Sequence, residues 1–189
     1  MKPGHNLSSA ASLRAIDQAH FLHPWQHFDS FRHDGALVIA RGEGAYVFDV
    51  DGKPYLDGIG GLWCVNVGYG RAELVQAMTR QAATLPFFST WVDTTNPPAA
   101  LLAQRLASLA PGSLNHVIYA SSGSDANDSA IRLAHYYHAR RGNRSKKHII
   151  SRKGAYHGST YLGISLGGKV DDRSPNFHYI TDFIHHLSC

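Results

Sequence analysis

From residue 116 onward the spacing of apolar positions changes twice. Val117-Ile118-Tyr119 is a short apolar run that reads as a strand. A turn of small residues follows, and then Ala130, Ile131, Leu133, Ala134 and Tyr137 recur at helical spacing. His148-Ile149-Ile150-Ser151 reads as a further strand. Strand, helix, strand is the βαβ order of a mainly parallel sheet. Upstream the pattern differs. Residues 36–40 and 45–50 are strand candidates, Asp51-Gly52 is a hairpin signal, and residues 54–57 return as a third strand. This predicts a small antiparallel unit. Ser12 is placed to cap a helix through His20, which Pro24 breaks. Residues 58–70 form a glycine-punctuated loop. A helix is predicted from Ala72 to Thr84, with Leu74, Ala77, Met78 and Ala82 inward, and another from Asn96-Pro97-Pro98 through Leu109. Residues 169–175 read as a loop, and the last residues have no defined pattern. The chain is therefore α/β, with residues 1–70 as an N-terminal segment and residues 71–189 as the start of a larger domain.

The chain has 189 residues, of which 43% are hydrophobic and 17% charged, as in a globular protein that can bury a core. The opening Met1-Lys2-Pro3-Gly4-His5-Asn6 has no apolar core of a signal peptide, and no apolar stretch approaches membrane-spanning length. Cys64 and Cys189 cannot build a disulfide framework, so a cytoplasmic location is expected. The net charge is +4. Its local excess, from Arg140 to Lys153, suits a helix C-terminus and a solvated loop, with a nucleic-acid patch as the other reading. No aromatic platform interleaves with it, so no nucleic-acid partner is expected, and no membrane partner either. Thirteen histidines include His135 and His138 on one helix face and His185-His186 near the end. None sits beside a carboxylate or cysteine at ligand spacing, so solvent-facing histidines and no metal are expected.

Ser122-Gly123-Ser124 lies where the first strand of the βαβ pattern hands over to a helix. Backbone N–H groups there have no intrahelical partner, and the helix dipole is positive. A phosphate monoester would fit such a turn. An ordinary Ser/Asp N-cap would also explain it. Tyr156-His157-Gly158-Ser159-Thr160 follows the next strand and would bring an aromatic ring to a neighbouring strand end.

With further motifs, these two carry a family resemblance. The motifs are Leu22-His23-Pro24, Arg41-Gly42-Glu43-Gly44, Asp51-Gly52-Lys53 and Asp57-Gly58. After them come residues 61–71 (Gly-Leu-Trp-Cys-Val-Asn-Val-Gly-Tyr-Gly-Arg), Leu85-Pro86-Phe87 and Ser165-Leu166-Gly167-Gly168. In order and at this spacing, the chain resembles the N-terminal portion of class III pyridoxal-phosphate aminotransferases, specifically the omega-transaminases of amine–pyruvate type. The resemblance implies fold type I, with an antiparallel unit and the first part of the large domain's mainly parallel sheet. It implies pyridoxal 5'-phosphate as cofactor, a primary amine or omega-amino acid and a keto acid as substrates, and a homodimer in the intact enzyme.

By the same resemblance, Ser122, Gly123 and Ser124 form the phosphate cup. Tyr156 stacks on the cofactor ring, and His157 packs beside it or hydrogen-bonds. Leu62 and Trp63 match an apolar pocket wall. Trp25 and Trp91 stand where phenylalanine is common, which implies a tighter pocket. Core packing is the competing reading for each aromatic residue. Asp125 stands where the family usually has glutamate.

The family's Schiff-base lysine and the aspartate that pairs with the pyridinium lie beyond residue 189. No lysine here matches the lysine motif, so no catalytic residue is assigned, and residues 1–189 alone are expected to be inactive. The sequence reads as part of a longer enzyme, from a truncated gene model or a natural truncation. Two alternatives stand beside it. One is another fold-type-I enzyme, an aminomutase or diamino-acid transaminase. The other is a non-catalytic fragment that serves as a binding or dimerising module.

Overall fold

Ser9 accepts the backbone N–H of Ser12 through its hydroxyl and so caps the first helix, α1 (Ala10–His20). The cap is Ser9 and not Ser12, because an N-cap must precede the first helical residue. The computed structural model describes residues 9–188; the start through residue 8 and Cys189 lie outside the described residues. The chain divides into two units, Met1–Ser89 and Thr90–Cys189.

In the first unit, α1 is followed by α2 (Phe28–Asp34), which had no sequence signal of its own. Between them His23 Nε2 bonds the Asp17 carboxylate at 2.9 Å. β1 (Ile39–Glu43), β2 (Tyr46–Asp49) and β3 (Pro54–Leu56) form an antiparallel sheet in that order. The register sets Glu43 opposite Tyr46 and Phe48 opposite Pro54. Asp49 fixes the turn at Asp51-Gly52. Its Oδ1 accepts the N–H groups of Asp51 and Lys53 at 3.0 and 2.9 Å, and its Oδ2 accepts the Tyr55 hydroxyl at 3.0 Å. The bond from Lys53 and its companions hold the Asp49 carboxyl below the usual carboxylate value. Gly52 supplies the φ of +83° that the turn requires.

Beyond β3 comes α3 (Gly60–Trp63), a single turn of the opposite hand to every other helix here. α4 (Ala72–Thr84) then runs with the bounds the sequence predicts. Its stripe of Leu74, Ala77, Met78 and Ala82 is exposed, contrary to the inward placement expected, because no layer among the described residues covers that face.

The second unit opens with α5 (Pro97–Leu109), capped by Asn96, whose side-chain oxygen accepts the Ala99 N–H at 3.1 Å. α6 (Gly123–Arg140), β4 (Ile149–Arg152), α7 (Tyr161–Leu166) and β5 (Ile184–Leu187) follow. β4 and β5 pair in parallel, with Ile149 opposite Ile184 and Arg152 opposite Leu187. The unpatterned end of the chain is thus a strand, short enough to escape a periodicity argument. Residues 117–119 correct the reverse expectation. They carry a strand's composition but join no ladder among the described residues, and pairing defines a strand more than composition does.

The core lies where α7 meets the β4–β5 ladder. Leu166 and Ile184 are its buried apolar residues, and Ser165 is fully enclosed. Small residues permit the close approach. The buried Ser151 hydroxyl donates to the Leu166 carbonyl at 2.7 Å, and the Ile180 N–H donates to Ser165 Oγ at 2.9 Å. A Cβ on Gly168 would strike the Arg152 carbonyl. Elsewhere many large apolar side chains are exposed, among them Leu74 and Met78 in the first unit and Leu133 and Ile150 in the second. The structure is an α/β arrangement with one antiparallel and one parallel sheet, the latter lacking further strands among the described residues.

Candidate active site

Ser122 sits at the N-cap of α6 in an extended conformation, and its Oγ accepts the Asp125 N–H at 3.2 Å. Capping is therefore observed, yet it occupies only an acceptor lone pair. The hydroxyl hydrogen remains a donor. Among the described residues no partner takes the N–H groups of Gly123 and Ser124. A Cβ built on Gly123 would meet nothing within 4 Å, so the space beside its backbone is open. Eighteen residues of helix end at this point, with the positive dipole end turned to it. Unsatisfied donors, two hydroxyls and an uncrowded glycine backbone fit a phosphate dianion.

A seam of side chains ties this helix start to residues 157–160. Ser124 Oγ accepts the Ser159 N–H at 3.1 Å. Asn127 Nδ2 donates to the His157 carbonyl at 2.8 Å. Thr160 Oγ1 donates to Asp128 Oδ1 at 2.9 Å and accepts the Gly163 N–H at 3.0 Å, so it also caps α7. Gly158, at φ +126°, lets the two segments touch; its Cβ would come within 2.6 Å of Ser124 Oγ. Tyr156 and His157 therefore leave β4 on a backbone referenced to the phosphate-sized turn. A groove of about 610 Å³ runs along residues 150–155 to His157.

Sequence reasoning missed the roles of Asn127, Asp128 and Thr160. The signal was present: Ser124, Asn127 and Asp128 are spaced i, i+3, i+4 and share one face of α6.

The aromatic candidates are not core residues. They range from 57% exposed for Tyr156 through 63% for Trp25 and 74% for Trp63 to 80% for Trp91, with Leu62 also exposed. Leu62 and Trp63 ride on α3, whose residues Gly60, Gly61, Leu62 and Trp63 have φ of 55°, 58°, 60° and 64°. Left-handed backbone costs a residue with a Cβ about 1–2 kcal/mol, so two non-glycine residues in succession are an outlier that something must hold. Trp25, Leu62 and Trp63 belong to the first unit, and Trp91 and residues 122–124 to the second.

The histidines are not simply solvent-facing. His135 and His138 are half-buried. His135 Nε2 donates to the Lys147 carbonyl at 2.9 Å. His185 pairs with His148 at 2.8 Å, and His186 donates to the Leu166 carbonyl at 3.0 Å. His135, His185 and His186 are each occupied by a residue distant in sequence, while His138 makes an edge contact with the Tyr137 ring. Among the described residues no group of three metal-ligating side chains gathers, and no helix is long and apolar enough to cross a membrane.

The family model for class III aminotransferases matches residues 30–188. The chain belongs to the class III aminotransferases. As a member, it is 46% identical over 155 residues to the putrescine–pyruvate aminotransferase of Pseudomonas aeruginosa, covering 82% of this chain and 34% of that protein. It is 40% identical over 154 residues to the vanillin aminotransferase of Capsicum annuum, covering 81% and 33%. Among solved structures, an (S)-enantioselective omega-transaminase from Thermomicrobium roseum superposes with a TM-score of 0.90 at 40% identity, over 95% of this chain and 40% of that one. A thermostable omega-transaminase with one tryptophan replaced by glycine, engineered for asymmetric synthesis of enantiopure bulky amines, superposes at 0.89 with 33% identity. That match covers 94% of this chain and 39% of the other. This class III segment spans about a third of the length of the curated relatives it matches. Its α/β fold is that of the fold-type-I transaminases, and class III aminotransferases are pyridoxal-phosphate enzymes.

Proposed function

We propose that this chain supplies the phosphate cup and ring platform of a transaminase. That enzyme moves an amino group from a primary amine or omega-amino acid to a keto acid such as pyruvate. The observation that carries the reading is the seam linking the start of α6 to residues 157–160. It holds a phosphate-sized set of free donors and an aromatic ring on one scaffold. Pyridoxal 5'-phosphate, when bound, supplies the electron sink for the transfer.

The chain's own residues bind and orient. Gly123 and Ser124 offer backbone N–H groups to the phosphate, and the Ser122 and Ser124 hydroxyls add donors. Tyr156 stacks on the ring, a contact worth about 1 kcal/mol beyond burial. His157 packs at the platform, its carbonyl held by Asn127. Leu62 and Trp63 are assigned to the apolar wall against the amine, and Trp25 and Trp91 are each assigned a substrate-binding role by the family resemblance. The engineered tryptophan-to-glycine relative supports a role for an indole in limiting amine size. Residues 1–70 serve as the N-terminal segment and residues 71–189 as the beginning of the cofactor domain. The covalent lysine and the pyridinium partner come from outside these residues. A cytoplasmic homodimer is the assembly this reading implies.

The test has two arms. Gly123→Val should weaken pyridoxal-phosphate binding about tenfold or more, measured by equilibrium dialysis, because the branched side chain fills the space beside the donors. Unchanged affinity would remove the cup assignment. The full-length enzyme containing these residues should form alanine from pyruvate and at least one amine in a broad panel. No alanine from any of them would remove the amine–pyruvate reading.

A further inference from the structure

Four consecutive left-handed residues do not persist by their own preference, and the structure shows what opposes their relaxation. The Trp63 N–H bonds the Ile59 carbonyl at 2.8 Å and the Cys64 N–H bonds the Gly60 carbonyl at 3.0 Å, so α3 is a closed turn of reversed hand. Asp57 Oδ2 accepts the Gly61 N–H at 2.6 Å and the Tyr69 hydroxyl at 2.6 Å. One carboxylate oxygen thus caps the start of the turn and pins the residue that ends its loop. Tyr69 is fixed in turn. Its N–H and carbonyl bond Gly44 at 2.8 and 3.1 Å. Its ring lies over Gly42, where any Cβ would approach to 2.5 Å. Gly68 lies against the Gly44 carbonyl, where a Cβ would come to 2.9 Å. The turn is anchored through Tyr69 to the edge of the β1–β2 hairpin.

We propose that Asp57 and Tyr69 are positioning residues for amine selection: together they hold α3 left-handed and so set how Leu62 and Trp63 face the substrate. This rests on the reading of Leu62 and Trp63 as the pocket wall. Neither positioning residue touches substrate. Their effect passes through the backbone of residues 60–63. Such a role predicts that losing either alters the preference between small and bulky amines, while cofactor affinity stays unchanged.

The experiment uses the full-length enzyme containing these residues. It pairs hydrogen exchange of residues 59–65 with kcat/KM for a small and a bulky primary amine. Asp57→Ala should raise exchange in residues 59–65 about tenfold, with residues 46–49 unchanged. The discrimination against the bulky amine should fall in parallel. Asp57→Asn, which keeps an acceptor oxygen, should restore part of both, and Tyr69→Phe should lie between. Leu62→Gly guards against simple unfolding. Glycine accepts left-handed backbone, so exchange there should stay low or fall. Trp63→Ala tests the pocket reading separately: it should change amine preference with exchange undisturbed. If Trp63→Ala leaves preference unchanged, the pocket reading fails. If it shifts preference while Asp57→Ala does not, or if Leu62→Gly exchanges faster, the positioning role is overturned.

Discussion

Residues 57–69 of the first unit and residues 156–160 of the second both carry candidate site residues on largely irregular backbone, yet they are held in place differently. The first segment bends through four left-handed residues and depends on one carboxylate, Asp57, with Tyr69 as its hinge partner. The second lies along a regular helix and is held by three separate side chains, Ser124, Asn127 and Asp128, one helical turn apart. A strained backbone concentrates control in few atoms. A regular helix face distributes it. The first arrangement is sensitive to a single substitution or a single proton, whereas the second should tolerate the loss of any one bond.

The largest effect should come from the one point where the distributed seam has no redundancy. Gly158→Ala forces a Cβ into Ser124 Oγ and imposes a side chain at φ +126°. The combined strain and crowding should cost about 3 kcal/mol or more. Exchange of the amides in residues 124–128 and 157–160 should rise together. If they stay protected, the seam does not hold the segment.

A pH series should separate the two regions next. The hydrogen bond from Tyr69, aided by the N–H groups of the turn, holds the Asp57 carboxyl below its usual value of 3.8. A depressed carboxylate contributes stability above its unfolded value and loses it as pH falls through the folded value. The Tyr69 phenol is raised above 10.0 by its bond to Asp57, so that contribution holds below 10.0 and fades above the raised value. Residues 59–65 should therefore stay protected from about pH 4 to pH 10 and open on either side, most clearly in acid. Residues 157–160 should show no matching alkaline opening. Hydrogen exchange at matched intrinsic rates reads both.

Single deletions in the seam should be mild. Asn127→Ala should cost about 1 kcal/mol, and Thr160→Ala about 1–2 kcal/mol because it also removes the α7 cap. The double variant should cost more than the sum, since each bond holds the segment in place for the other. A loss confined to one substitution would show that the seam is not shared. The smallest effect, and of opposite sign, is expected from Leu62→Gly. Relief of left-handed strain should outweigh the added chain entropy by about 0.5 kcal/mol, seen as a slight rise in protection of α3.

The antiparallel hairpin, α4 and α5 were legible because turn residues, proline and helical spacing are local signals. Asp51-Gly52 needs no knowledge of the rest of the chain. The helix start at Ser122-Gly123-Ser124 was legible for the same reason. What escaped depends on partners distant in sequence. β5 has four residues and is defined by its pairing with β4. Residues 117–119 have strand composition and no described ladder partner. The inward stripe of α4 follows helical spacing, but spacing cannot say which layer covers it. Asp57 and Tyr69 meet across irregular backbone that no periodicity describes. Left-handed Leu62 and Trp63 run against the residue preferences on which such reading depends. The aromatic candidates drew attention by motif, and the structure shows them exposed rather than in the core.

The contrast between the two sheets also orders their formation in time. Glu43 pairs with Tyr46 across a tight turn, so the first hairpin closes a short loop, an event of microseconds. Tyr69 lies close in sequence to that hairpin, so sealing α3 against it needs no distant partner. Ile149 pairs with Ile184, and that parallel ladder must wait for a much longer loop to close. Until then the apolar residues of that ladder should stay exposed to other chains. Slower translation between residues 149 and 184 would lengthen that exposure, while leaving the hairpin and the turn already complete.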